Sequence, residues 1–436
     1  MVIYTRFELF KKKLEKKDVG EIFTPNAVPI YTYIPRSQFE LENKFGDTYK
    51  FSNNIIVITG DSKSGKTVLW KKIIGKKYIQ IDAIRIKNSE SIWENIAQKQ
   101  NLALSQKESS TISKSQTAGG KIKGKLDALF ASTEGEVSGS ETKGEIKTIE
   151  KEKNYSAYDL VINELLTKKI TLVIEDFHYI DESEQKEIVR SIKNPLLDGL
   201  KVIILAVPHR VSDVIKSERD LQGRVYHLEI PKWNDDEIAE IAKKGFNELG
   251  VKYSQELVED LVKESFSNPE IMQDLCLQLC LSNNIREQCN DHIEIKFPNN
   301  DKGTFFSEFA KNFTTDIDYK KIISKGRVSG RTIYNFEDGT SGDIYVGVLK
   351  IIPSFFPKLE INSKDIQLEL DKIVIDENKP QLSQITQCIH YIDDNLNTDD
   401  FESLNNHLLE YDPVLKKLII MNPYFAFNLK WGNHEL

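Results

Sequence analysis

Thr59-Gly60-Asp61-Ser62-Lys63-Ser64-Gly65-Lys66-Thr67 has the GxxxxGKT pattern of a phosphate-binding loop. The β-branched run 55–58 (IIVI) stands before it, and the helix-compatible run 68–74 (VLWKKII) follows. Strand, glycine-rich turn and helix are the geometry that phosphate binding needs. Glycine lets the backbone curl so that successive N–H groups converge on one point. The start of the following helix adds partial positive charge there. In this pattern Lys66 reaches the β- and γ-phosphates, and the Thr67 hydroxyl ligates Mg²⁺. Gly60, Asp61, Ser62, Lys63, Ser64, Gly65, Lys66, Thr67 and Val68 are therefore the expected nucleotide contacts, with ATP and Mg²⁺ the expected ligands.

Working outward, the chain of 436 residues exceeds one ordinary core, so two or three domains are expected. An N-terminal segment, 1–50, carries a Lys/Glu-rich helix over 7–17, an aromatic, proline-punctuated stretch over 23–35, and a short helix over 37–45. Residues 51–232 alternate strand and helix, which predicts an α/β fold with a parallel sheet covered on both faces. Further strands are expected at 77–82, 171–174, 201–206 and 225–230. Residues 103–153, rich in Ser, Thr, Gly, Lys and Glu, interrupt the pattern as an insertion, either a solvated loop or a mobile β-hairpin. Residues 233–290 read as helices only: 235–249, 255–264 and 269–281, with Asn234 and Ser254 as N-caps and Gly250 as a stop. They have the size of a lid. Residues 291–342 read as a linker, and 343–436 return to helices with two strands and a final aromatic helix.

A phosphate loop needs an acid at a neighbouring strand end to hold Mg²⁺. Thr171-Leu172-Val173-Ile174-Glu175-Asp176 supplies two, Glu175 for the metal side and Asp176 for orienting or deprotonating water. At the tip of the next strand, Arg210 or His209 is placed to sense the γ-phosphate. Arg224, before the last strand, is a candidate arginine finger toward a neighbouring subunit's nucleotide.

Together these residues resemble the AAA+/STAND group of P-loop NTPases, in the branch of the origin-recognition-type ATPases. The resemblance spans roughly 30–290 and extends into the tail. Tyr33-Ile34-Pro35-Arg36, followed by Glu40, is similar to the adenine-side box, and implies that Arg36 contacts the nucleotide. Arg210 matches the sensor-1 position and Arg224 the finger. Ser267-Asn268-Pro269 falls where STAND lids carry Gly-x-Pro, and Glu270 stands where AAA+ lids carry the sensor-2 arginine. The tail resembles a winged helix, with helices over 365–372 and 382–393, a wing of strands 408–411 and 418–421, and a terminal helix over 422–431. The resemblance implies an ATP-hydrolysing switch of slow turnover. Its nucleotide state would control self-association or an effector partner, in bacterial stress or phage-defence signalling.

Composition limits the partners. The net charge of −8 gives no general attraction to nucleic acid. Residues 343–436 hold eight basic and fifteen acidic side chains, a formal charge of −7. A DNA reader neutralises phosphates with Lys and Arg, and the expected recognition helix has none. DNA remains an alternative partner through Lys320, Lys321, Lys325, Arg327 and Arg331; a non-catalytic nucleotide-binding scaffold is the third reading. No apolar run approaches the roughly 18 residues of a membrane span. The lysine-rich start lacks the apolar segment of a secretory signal. The four cysteines, at 276, 280, 289 and 388, show no metal-ligand spacing and read as core thiols, so a cytoplasmic location is expected.

Overall fold

The computed structural model describes residues 16–102, 105–112, 147–154, 156–207, 223–289, 293–312, 331–396 and 408–432. After a single helical turn α1 (Val19–Ile22), a 3₁₀ turn (Ser37–Phe39) leads into α2 (Leu41–Phe51). The helix expected over 37–45 is thus split. Glu40 takes a left-handed φ of 52° between the turn and the helix, which then runs on to Phe51. The α/β core follows as β1 (Ile55–Thr59), α3 (Lys66–Ile74), β2 (Tyr78–Asp82) and α4 (Ser89–Lys99). The insertion comes next as β3 (Ser105–Ile112) and β4 (Lys147–Asn154), an antiparallel pair. The core resumes with α5 (Ala157–Lys168), β5 (Thr171–Glu175), α6 (Glu182–Leu197), β6 (Val202–Ala206) and β7 (Val225–Glu229).

Five of these strands form one parallel sheet in the order β2-β5-β6-β1-β7. Strands β1 and β6 are buried at every position, as continuous apolar runs require when helices cover both faces. Trp70, Phe45 and Leu69 pack on one face; Ile92, Trp93, Val161 and Ile188 pack on the other. Strand β6 lies between β1 and β5. The loop after β1 and the acids ending β5 therefore stand at the same end of the sheet, where its parallel strands finish. This is the α/β fold of a P-loop NTPase.

The helical segment begins with α7 (Asp235–Leu249), α8 (Gln255–Glu264) and α9 (Pro269–Ser282). The Asn234 side chain accepts from the Glu237 N–H, and Gly250 ends α7 at φ 76°. The Asn268 side chain accepts from the N–H groups of Glu270 and Ile271 at the start of α9, with Pro269 in the first turn. The Asn234 cap and the Gly250 stop are as expected, whereas the Asn268 cap was not among the expected ones. Residues 291–342, expected as a linker, contain α10 (Lys302–Lys311) and the two-residue strands β8 (Tyr334–Asn335) and β9 (Ser341–Gly342). Helix α10 is held by its aromatic side chains. The Phe309 ring lies 4.9 Å from that of Phe427, and Phe306 lies 5.1 Å from Trp431.

The tail runs α11 (Ile344–Ile351), β10 (Glu360–Asn362), α12 (Ser363–Ile373), α13 (Leu382–Leu396), β11 (Leu409–Asp412), β12 (Lys417–Ile420) and α14 (Pro423–Trp431). Its sheet has three antiparallel strands, β10-β12-β11, where two were expected. Residues from α1, the helical segment, α10 and the tail belong to one continuous apolar cluster, which includes Phe246, Leu275, Phe306, Leu349 and Phe427. Cys276, Cys280 and Cys388 are buried within it.

Candidate nucleotide-binding site

The loop is shaped by two glycines. A Cβ on Gly60 would stand 2.8 Å from Ser64 Oγ and 3.1 Å from Ile230 Cβ. Gly65 turns the chain into α3 at φ 98°, a conformation that side chains disfavour. Lys66 opens α3, and its ammonium donates to the carbonyls of Gly60 at 2.8 Å and Asp61 at 2.7 Å. Two more loop carbonyls are held from across the cleft. Trp233 Nε1 donates to Ser64 O at 2.9 Å, and Asn268 Nδ2 donates to Ser62 O at 3.3 Å. A trans peptide points its N–H opposite to its C=O. The N–H groups of Lys63 and Gly65 therefore face away from those side chains.

The acids stand as β5 ends. Thr67 Oγ1 donates to Glu175 Oε1 at 2.9 Å, and Gln80 Nε2 donates to Glu175 Oε2 at 2.6 Å. Asp176 takes a left-handed φ of 54° at the end of the strand. It lines the cavity and is exposed to solvent. Desolvation, opposed by Lys66 and reinforced by the Glu175 and Asp82 charges, pushes its carboxyl up to about 6. Desolvation likewise pulls the Lys66 ammonium down to about 8, against the attraction of Asp176, Asp61 and Glu175. Gln80 and Asp82 were missed as site residues. Their signal was available: β2 ends in an acid as β5 does, and Asp82 sits directly beside Glu175 in the sheet.

Arg36 lines the same cavity, but its guanidinium is engaged by protein. Nε and Nη2 donate to the two carboxylate oxygens of Glu237 at 3.0 Å each. Nη1 donates to Pro231 O at 2.6 Å and Nη2 to Lys232 O at 2.8 Å. The Phe39 and Trp233 rings lie 4.8 and 4.7 Å away. Arg36 thus clamps the N-terminal segment to the start of α7. Arg224 lies before β7, at the end of the sheet opposite the loop, where its carbonyl accepts from Ile55 N. The chain's own loop and Arg224 are not brought together. Arg210 and His209 lie outside the described residues.

Two polar chains run from the loop to the tail. Lys63 pairs with Glu270 Oε1 at 2.5 Å, and its ammonium lies 4.6 Å over the Tyr424 ring. Tyr424 OH donates to Asp274 Oδ2 at 3.0 Å. Separately, Lys232 lies 3.7 Å from Asp61 and 3.0 Å from Glu360 of β10, and Glu360 also pairs with Lys417 at 3.1 Å. Only side-chain geometry shows these links, since their partners are far apart in sequence.

Between the loop, the acids, α9 and the segment 24–36 lies a cavity of about 300 Å³. Ile34, Leu41 and Ile241 supply apolar lining. Gln273, also on its wall, donates to Thr32 Oγ1 at 2.6 Å and accepts from Thr24 N at 3.2 Å. Apolar lining in the same cavity as a phosphate loop suits a nucleotide. Hard oxygen donors from Thr67 and Glu175, already in contact, suit Mg²⁺.

No family model matches the chain, and no curated protein does. Among solved structures, it is similar to the Walker-type ATPase of Pyrococcus abyssi at 13% identity, covering 92% of this chain and 100% of that one, with a TM-score of 0.49. It is similar to Cdc6p from Pyrobaculum aerophilum at 12% identity, 94% and 97% coverage, and a TM-score of 0.42. A STAND protein with a tetratricopeptide repeat sensor from Pyrococcus horikoshii matches at 11% identity, 93% of this chain but 44% of that one, and a TM-score of 0.34. At TM-scores below 0.5 these likenesses add nothing to the site, which stands on its loop, its acids and the strand order. Among the described residues, no helix is long and apolar enough to cross a membrane.

Proposed function

We propose that the chain is an ATP-binding, slowly hydrolysing molecular switch whose nucleotide state controls self-association or the binding of an effector protein. The observation that carries this reading is the seam around the loop. The helical segment and the tail share one apolar core; the segment grips the phosphate loop through Trp233, Asn268 and Glu270, and Lys232 of the core joins Asp61 to Glu360 of the tail. A change at the phosphates is felt by that whole body.

The roles follow from position. Lys66 binds the β- and γ-phosphates, and the loop N–H groups orient them. Thr67 and Glu175 hold Mg²⁺, which neutralises phosphate charge when bound. Asp176, a carboxylate near neutrality, orients or deprotonates the attacking water. Arg224 acts in the nucleotide site of a neighbouring copy. A role in stress or phage-defence signalling rests on the family resemblance.

The domains divide as 51–232 for the core, 233–290 for the lid and 343–436 for the tail, whose order of helices and strands suits a winged helix. DNA is the weaker partner. Arg331, the described member of the basic stretch, pairs with Asp343 at 2.6 Å and stacks 4.1 Å over Tyr345. Lys320, Lys321, Lys325 and Arg327 lie outside the described residues.

The test is mass measurement in solution with and without ATP-Mg²⁺, beside Lys66→Ala and with candidate partners. The expected result is a change of assembly or partner binding in wild type and none in Lys66→Ala. Unchanged assembly and partner binding, with unchanged hydrogen exchange over 233–290, would sink the switch. ATP binding without turnover would favour the scaffold.

A further inference from the structure

We propose that the end of the parallel sheet remote from the phosphate loop is a docking surface for an anionic membrane. This surface is separate from the nucleotide site and stands whether or not the switch reading holds.

In a parallel sheet every strand starts at the same end. Here residues 52–54, 75–77, 169–170, 198–201 and 223–224 lead into β1, β2, β5, β6 and β7. These connections hold Lys76, Lys77, Lys169, Lys201 and Arg224 against one acid, Asp198, in a chain of 59 basic and 67 acidic side chains. The four lysines precede three neighbouring strands, β2, β5 and β6, about 4.8 Å apart. Backbone bonds tie them into one row. The Thr171 N–H donates to Lys77 O at 3.1 Å, and the Leu172 N–H donates to Lys201 O at 3.0 Å. Arg224, the finger candidate, stands at the same end; the lysines make the row without it.

Lys76, Lys77 and Lys169 are exposed. Among the described residues, none of the four lysines is ion-paired. Lys201 donates instead to neutral oxygens, Ser52 O at 2.5 Å and Asn53 Oδ1 at 3.3 Å. Helix C-termini attract cations within their last turn, but Lys76, Lys77 and Lys201 lie beyond the helices that precede them.

Two large apolar side chains are exposed at this same end. Phe51, 74% exposed, closes α2, and Leu197, 62% exposed, closes α6. Helix α2 packs on one face of the sheet through Phe45, and α6 on the other through Ile188. The lysine row thus runs between two apolar points. A lipid surface takes both kinds of group at once, lysines at the headgroups and apolar side chains at the acyl boundary. A nucleic-acid strand could use the lysines, and Phe51 by stacking, but has no use for Leu197.

The acidic tail lies at the opposite end. It reaches the loop at Lys63 and, through Lys232, at Asp61, and it carries a formal charge of −7. An anionic surface therefore attracts one end of the molecule and repels the other. Docked in this way, the loop and the tail face away from the membrane.

The experiment is co-sedimentation of the full chain with vesicles of phosphatidylcholine, alone or with roughly one-third phosphatidylserine. Wild type should bind the anionic vesicles at least tenfold more tightly than the neutral ones, and should leave them as salt rises to about 0.5 M. Lys76→Glu, Lys77→Glu and Lys169→Glu together should raise the lipid needed for half-binding about a hundredfold, at about fivefold for each lysine. Lys252→Glu, Lys263→Glu and Lys364→Glu make the same change of charge at exposed positions of the helical segment and tail, and should raise it less than about fivefold. Phe51→Ser with Leu197→Ser should raise it about tenfold and leave the salt dependence unchanged. Equal binding to both vesicles, binding to neither, or an equal loss in the control reversal overturns the inference. Wild-type affinity in the Phe51→Ser, Leu197→Ser variant also overturns it, since the lysines alone suit any polyanion. An oligonucleotide that strips the protein from the vesicles at equal phosphate concentration assigns the row to nucleic acid and overturns it likewise.

Discussion

Arg36→Met separates two roles for one residue, nucleotide contact and lid clamp. In the structure Arg36 and Glu237 are 4% and 9% exposed, and four hydrogen bonds leave the guanidinium, two to Glu237 and two to backbone carbonyls. Methionine fills similar space but satisfies none of them. Glu237 would keep Gln38 and the Asn234 N–H, yet would lose its only bidentate cation among the described residues. Breaking a buried pair on one side typically costs about 3–5 kcal/mol, because the remaining charge stays desolvated. The retained donors to Glu237 place Arg36→Met at the lower end, about 3 kcal/mol. Replacing both, as Arg36→Met with Glu237→Leu, should recover part of this, with a coupling of about 2–3 kcal/mol. The assay is urea denaturation followed by tryptophan emission. Trp233, which stacks on Arg36 and bonds to the loop, reports the seam. Two-state behaviour is not assured in a chain of several domains, so the transition that carries the Trp233 signal is the one to compare. A tenfold loss of ATP affinity with that transition unmoved would refute the clamp and restore Arg36 as a nucleotide contact. Additivity of the two substitutions within about 0.5 kcal/mol would also refute it.

Other outcomes follow from the same geometry. The pH profile of kcat/KM should be a bell, since Asp176 must be ionised, above about 6, and Lys66 must keep its proton, below about 8; Asp176→Asn should remove the acid limb along with most of the rate. The raised Asp176 also binds its proton more tightly folded than unfolded, so its stabilising contribution is complete below the ordinary 3.8 and is lost as pH rises through about 6; in Asp176→Asn the stability measured by urea titration should fall less over that window. Thr67→Ala should raise the Mg²⁺ needed for half-maximal ATPase by tenfold or more, yet change metal-free nucleotide affinity less than threefold, as read by titration with and without chelator. Glu264→Gln should loosen α14, because Glu264 accepts from Lys430 at 2.9 and 2.8 Å and from Trp431 Nε1 at 2.7 Å; the expected cost is about 1–3 kcal/mol, seen as faster hydrogen exchange over Pro423–Trp431.

What the sequence made legible was local. The strand, loop and helix around Gly60–Thr67 are written in consecutive residues, as are the Asn234 and Ser254 caps that begin α7 and α8. The sheet order, the seam and the clamp are not local. Arg36 meets Glu237 across 201 positions, and Lys63 meets Glu270 across 207. Periodicity marks Arg36 only as one more charge after a proline, and nothing in its neighbours says that a carboxylate of α7 consumes it. The helix over 37–45 failed at one residue, because Glu40 adopts a left-handed conformation that its type does not advertise. The linker reading of 291–342 missed Phe305, Phe306 and Phe309 as a packing face, whose partners Phe427 and Trp431 lie near the other end of the chain.

The division between dry core and polar seam says where this molecule can move. Opening the cluster shared by the helical segment, α10 and the tail would expose residues such as Phe246, Phe306 and Phe427, each fully buried, at roughly 25 cal/mol for every Å² of apolar surface. Parting the seam exchanges protein hydrogen bonds for bonds to water or phosphate, each with a net worth of only about 0.5–1.5 kcal/mol. The contacts at risk are Trp233 to Ser64, Asn268 to Ser62, Lys63 to Glu270 and Lys232 to Glu360. Three of them meet Ser62–Ser64, and Lys232 also pairs with Asp61; the phosphates of a nucleotide would contact the same stretch. This polar boundary and the expected ligand thus share one short piece of backbone. A rigid body of helical segment and tail, hinged at the Arg36–Glu237 clamp, is the motion that the packing permits at least cost.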